Sequence, residues 1–238
     1  MSDTLLEGRA DYVAHNLALV KEDIHAAEAA ACRVGKTALI AAVKYGEDAE
    51  IDRLLSLGVA DVGENRVQQL LSHMPLYEKH GTRIHFIGTL QKNKIKYIID
   101  KVYAIHSVDS LSLAEEINKH AAKRGISVRV LAEVNIGREA AKSGAMPEEL
   151  TALCEGIAAL PNLSLLGVMT MAPRCETPAD YHQYFSEART LAEAVWQSLS
   201  LQGRPLLSMG MSESFGAAIA EGADMVRVGR RLFLKKEN

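Results

Sequence analysis

Apolar residues recur at helical spacing along the first part of the chain. Leu5, Leu6, Val13, Leu17, Val20, Ile24 and Ala27 predict one amphipathic helix over residues 5–33. Beyond it the pattern changes to short apolar runs that alternate with helical stretches. The runs are ALIAAVK (38–44), ADVGEN (60–65), IHFIG (84–88), YAIHSVD (103–109), VRVLAEVNI (128–136), LSLLGVMTM (163–171), LLSMG (206–210) and MVRVG (225–229). Between them lie segments such as DAEIDRLLSLG, SLAEEINKHAAKRG and PEELTALCEGIAAL, several of which end in Gly or are followed by Pro, as helix stops are. Strands rich in Val, Ile and Leu, each followed by a helix, predict a parallel sheet covered on both faces.

Eight such runs in 238 residues favour a closed (β/α)8 TIM barrel with an N-terminal helical extension. An open doubly wound sheet is the alternative. Against it, no GxGxxG follows the first strand, and no Walker-type GxxxxGK[ST] occurs. A single domain over residues 1–238 is expected, with a helix in 1–36 and the barrel in 37–238.

Composition narrows the function classes. Hydrophobic residues make up 48%, charged residues 24%, and the formal net charge is -3. This is a soluble-globular balance with no electrostatic footprint for nucleic acid. No run approaches the roughly 20 apolar residues of a membrane span. The N-terminal segment lacks the basic region and cleavage site of a secretory signal. Cys32, Cys154 and Cys175 lie far apart with no CxxC pair, which argues against disulfides or a thiolate metal site. A reducing, cytoplasmic location is expected.

In a barrel of this type the chemistry sits at the C-terminal ends of the strands. Lys44 follows LIAAV and is read as the end of a buried strand, where a lysine is rare unless paired or functional. An amine in that position can attack an aldehyde once its pKa is lowered. A lysine that snorkels out at the strand end is the plain alternative. SMGMS (208–212) and VRVGR (226–230) place small residues and hydroxyls beside helix starts, after strands seven and eight, where barrels usually bind phosphate. Ordinary Gly and Ser turn residues would look the same in either loop alone. Arg227 sits mid-strand in MVRVG and needs an anion or an acceptor if it points inward. A cofactor ring nitrogen would serve, and an ion pair with Glu64 or Glu133 is the structural alternative. His85 reads as a satisfied core histidine, and Lys92, Lys94, Lys96 and Lys101 as a solvated helix face. No metal-ligand spacing and no GxSxG elbow occurs.

Taken together, AAVK (41–44), GENRVQQ (63–69), HFIGTLQKNK (85–94), VNIGREAAKSG (134–144), GVMTMAP (167–173), SMGMS and VRVGRRLF (226–233) give the chain its resemblance to a known family. Over about Leu39 to Phe233 it resembles the pyridoxal phosphate homeostasis proteins, whose fold is the alanine racemase N-terminal barrel. The resemblance implies pyridoxal 5′-phosphate (PLP) as cofactor, held as a Schiff base on Lys44. It implies phosphate contacts around Ser208, Met211, Ser212, Gly229 and Arg230, Asn65 near the cofactor ring, and Arg227 facing the ring nitrogen. Lys142 matches a second lysine of the family. Two positions depart from the family pattern. Gly229-Arg230-Arg231-Leu232-Phe233-Leu234 replaces a Gly-Thr-Ala ending, and Tyr45 stands where a small hydroxyl residue is common.

The function implied is intracellular PLP homeostasis, with PLP and its apo-enzymes as partners and no nucleic acid or membrane. The alternative is a PLP-dependent racemase or related enzyme. Racemases of this fold add a β-domain whose tyrosine serves as the opposite-face acid, and no residue here is an obvious substitute, so no catalytic residue is assigned. A monomer is expected, with a dimer as the alternative.

Overall fold

Eight parallel strands close on themselves in sequence order, with β8 paired back to β1. This is the computed structural model of residues 3–235, with backbone alone for residues 3–11 and Pro178. The strands are β1 (Ala38–Ala42), β2 (Asp61–Glu64), β3 (Arg83–Phe86), β4 (Ala104–Val108), β5 (Val128–Val134), β6 (Leu163–Thr170), β7 (Leu206–Ser208) and β8 (Met225–Val228). Each falls inside one of the eight apolar runs, apart from Arg83, which precedes its run. The fold is a (β/α)8 barrel.

Side chains alternate across each strand, which divides the core in two. Ala41, Val62, Ile105, Val130, Val226 and Val228 point outward and pack in the main core with the helices. Ile40, Leu131, Met169 and Met225 form a separate apolar cluster, alternating with the outward set and so filling the barrel interior. Ile40 lies beside Arg227 on one side and Asp61 on the other. The interior is therefore not uniformly apolar, and its buried polar residues include His106, Ser208 and Arg227.

The covering helices are α2 (Asp48–Ser56), α3 (Val67–His80), α4 (Ile95–Ile98), α5 (Leu111–Arg124), α6 (Leu150–Ala158), α7 (Pro178–Ser198), α8 (Phe215–Ala220) and α9 (Arg230–Phe233). They follow α1 (Asp3–Ala30), which ends three residues before the expected limit. Cys32 adopts φ 54°, and the Arg33 N–H returns 2.8 Å to the Glu28 carbonyl, a left-handed closure that stops a helix. Val13, Leu17, Val20 and Ile24 are buried. The side chains of Leu5 and Leu6 lie outside the described residues. Asn16 Nδ2 donates to the carbonyls of Leu232 and Leu234 at 3.2 and 3.0 Å, tying α1 to the end of the barrel. Among the described residues no helix is long and apolar enough to cross a membrane.

Candidate functional site

The C-terminal ends of the strands surround a cavity of about 150 Å3. Lys44, Tyr45, Asn65, Met211, Ser212, Arg227, Gly229 and Arg230 all line it. Strand β1 stops at Ala42, earlier than expected. The backbone then tightens into a single 3-10 turn, Val43–Tyr45, closed by the Gly46 N–H on the Val43 carbonyl at 2.9 Å. Val43 is buried in the outer core, whereas Lys44 is exposed at the mouth with its Nζ 4.9 Å from the Tyr45 ring centroid. Lys44 thus stands free at a cavity edge, one turn beyond a buried strand. Gly229 lets β8 approach this turn. A Cβ there would lie 2.7 Å from the Ala42 carbonyl oxygen and 3.0 Å from the Tyr45 ring.

Arg227 is buried beneath the mouth. Its Nη1 donates to the carbonyl and the hydroxyl of Ser208 at 2.7 and 2.8 Å, and its Nη2 donates to the Thr170 carbonyl at 2.8 Å. Burial pulls the guanidinium down to about 10, and Glu133 opposes that shift. No carboxylate pairs with it among the described residues. Glu64 turns outward, where Oε1 accepts from the Tyr77 hydroxyl at 2.5 Å and meets His73 Nδ1 at 2.7 Å. Glu133 accepts from Ser143 at 2.8 Å. Burial raises both carboxyl pKa values. Asn65, the residue after β2, contributes a buried side-chain oxygen without any partner.

Comparison with known proteins decides the family. The model for the alanine racemase N-terminal domain matches residues 9–236. A pyridoxal phosphate homeostasis protein of Aquifex aeolicus is 43% identical over 195 residues, covering 82% of this chain and 85% of the relative. One from Pseudomonas aeruginosa is 36% identical over 222 residues, covering 93% and 94%. The chain belongs to the pyridoxal phosphate homeostasis protein family. The structure of PipY from Synechococcus elongatus PCC7942, with PLP bound, superposes with a TM-score of 0.81 at 30% identity, covering 93% of this chain and all of that one.

In this member of the pyridoxal phosphate homeostasis family, Ser208 departs from its expected place. Its side chain is fully buried in the barrel and bonded to Arg227 and to His106 Nδ1 at 2.9 Å, so its hydroxyl belongs to the interior. The serine hydroxyls that line the mouth are those of Ser212 and Ser214, and Ser214 accepts from the Met211 N–H at 3.1 Å. Arg230 is exposed and paired with Glu213 at 2.5 Å, so this rim carries an anion as well as a cation. Lys142 lines a smaller adjacent cavity of about 50 Å3 with Glu133 and Asn135. Ile87, Met171 and Tyr181 also line the mouth. Of these, Ile87 and Met171 lay within apolar runs with nothing to single them out. Tyr181 arrives from α7, where no local motif marks it. His106 likewise read as one more strand residue.

Proposed function

We propose that this protein holds PLP in the C-terminal mouth of its barrel, as a Schiff base on Lys44, and serves intracellular PLP homeostasis in the cytoplasm. The observation that carries the reading is the convergence of Lys44, Asn65 and Arg227 on one cavity. The residues present fit the group. The exposed Lys44 amine is a nucleophile for an aldehyde. The orphaned Asn65 oxygen is an acceptor for a ligand hydroxyl, and a buried acceptor left unpaired is costly. Arg227 can only donate, so it matches an unprotonated ring nitrogen. Ser212 and the Gly229–Arg230 backbone supply donors at the rim for a phosphate.

When bound, the group supplies an aldehyde carbon for the lysine and an electron-withdrawing ring. The chain's own residues orient it. The β6 and β7 carbonyls hold Arg227 in place, Gly229 admits β8 close to the Lys44 turn, and Ile87 and Met171 add apolar surface to the lining. A guanidinium at the ring nitrogen disfavours a proton there, which suits storage more than carbanion chemistry. An exposed linkage at an open mouth also suits release to apo-enzymes.

Absorption spectroscopy tests the reading. The purified protein mixed with PLP should develop the visible band of a Schiff base, and Lys44→Ala should abolish it. An unchanged band in Lys44→Ala would overturn the assignment.

A further inference from the structure

A continuous line of polar side chains crosses the barrel interior beneath the mouth. It starts at Asp61 on β2, beside a second cavity of about 430 Å3 that Asp61, His85 and His106 line together with Ala38, Leu206 and Met225 near the N-terminal ends of the strands. Asp61 Oδ1 lies 2.9 Å from His85 Nε2 on β3. His85 Nδ1 lies 2.8 Å from His106 Nε2 on β4. His106 Nδ1 lies 2.9 Å from the Ser208 hydroxyl on β7, which accepts from Arg227 on β8. Every member is buried.

With one hydrogen on each ring, the Asp61 carboxylate fixes the direction of every hydrogen bond along the line. A guanidinium only donates and a carboxylate only accepts. Arg227 therefore donates to the Ser208 oxygen, and the Ser208 hydrogen can go to His106 Nδ1. His106 then carries its hydrogen on Nε2 and donates to His85 Nδ1. His85 in turn carries its hydrogen on Nε2 and donates to Asp61. Arg83 holds Asp61 from outside with bonds of 2.7 and 2.6 Å, keeping it an anion. Burial opposes that ionisation, but the bonds from His85 and Arg83 hold the carboxyl below its usual pKa. Burial, with His85 and Arg227 nearby, keeps the His106 pKa well below its usual value, so this ring is neutral.

We infer that Asp61, His85, His106 and Ser208 are positioning residues that aim Arg227 at the cofactor ring, with His85 and His106 each carrying a hydrogen on Nε2. The inference rests on the proposed reading of the mouth and assigns Ser208 to this chain of bonds, away from phosphate. The Ser208 and Thr170 carbonyls hold Nη1 and Nη2, and the Ser208 hydroxyl adds a side-chain contact on Nη1 that the line of bonds behind it orients. With one hydrogen on each ring, reversing any link would set two hydrogens or two lone pairs face to face.

Two measurements on the full-length protein test it. Long-range 1H–15N NMR of the apo protein reads the tautomers directly. Both rings should carry hydrogen on Nε2 alone, and an Nδ1 hydrogen on either ring overturns the chain. PLP titrations of Ser208→Ala, Arg227→Met and the double variant then measure coupling. Ser208→Ala should weaken PLP about three- to tenfold and shift the visible band, Ser208→Thr should restore both, and Ser208→Ala should add nothing once Arg227 is Met. Independent losses in the double variant would overturn the positioning role. A wild type that forms no band would instead defeat the reading of the mouth. The tautomers, read without cofactor, keep that failure separate.

Discussion

Arg227 on β8 donates from one nitrogen to both the carbonyl and the hydroxyl of Ser208 on β7, at 2.7 and 2.8 Å. A buried cation in a barrel is ordinarily balanced by a carboxylate. Here it is balanced by main-chain dipoles and a hydroxyl, so its charge remains available to whatever enters the mouth.

That balance makes the effect of Arg227→Met specific. The substitution strips a donor from two carbonyls and a hydroxyl, but it also removes the cost of burying a cation and strands no paired carboxylate. Apo-protein stability should fall by no more than about 2 kcal/mol, while PLP affinity falls at least about tenfold. Urea unfolding of the apo forms, beside PLP titrations, measures both. A loss of about 3–5 kcal/mol with unchanged affinity, the signature of a broken buried ion pair, would reject the cofactor role.

The rim predicts a gain of function. Glu213 pairs with Arg230 beside the backbone donors proposed for phosphate, where its charge opposes an incoming anion. Both side chains are well exposed, so the effect is screened and small. Glu213→Gln should tighten PLP about two- to fivefold at low salt and leave pyridoxal unchanged. Wild type should in turn bind pyridoxal at least about tenfold more weakly than PLP. Equal affinity for the two aldehydes would exclude a phosphate site there.

Glu28 controls how α1 joins the barrel. Its buried carboxylate accepts from the N–H groups of Gly35, Lys36 and Thr37 at 2.9, 3.0 and 2.7 Å, closing the turn into β1. Burial opposes its ionisation, yet these backbone bonds hold its pKa below the usual value. A lowered folded-state pKa contributes stability above the unfolded value and loses it as pH falls through the folded one. Glu28→Ala should cost about 3 kcal/mol at neutral pH, with a smaller difference from wild type below about pH 4. Urea melts at both pH values check the sign, and a difference that grows in acid would contradict it.

The fold was legible because short apolar runs recur eight times in the chain with helical stretches between them. Boundaries were less so. ALIAAVK reads as one strand, but the backbone tightens after Ala42 and turns Lys44 out to the mouth. Arg227 drew attention to Glu64 and Glu133 because carboxylates are visible in a sequence, whereas two of its three acceptors are main-chain carbonyls that leave no side-chain mark. Ser208 and Ser212 sit in one short motif and were grouped as phosphate ligands. Strand β7 ends at Ser208, whose side chain lies inside with Leu206, whereas Ser212 lies past the strand end in the loop at the rim. The pairing of His85 with His106 depends on the register of β3 and β4, which apolar patterning does not encode.

The attachment point of the cofactor is the central claim, and borohydride reduction followed by peptide mapping tests it most directly. Reduction of the PLP-loaded protein fixes the cofactor on the lysine that holds it. The peptide spanning ALIAAVK should carry the added mass on Lys44. A label on Lys142 alone, or on surface lysines without Lys44, would contradict the account.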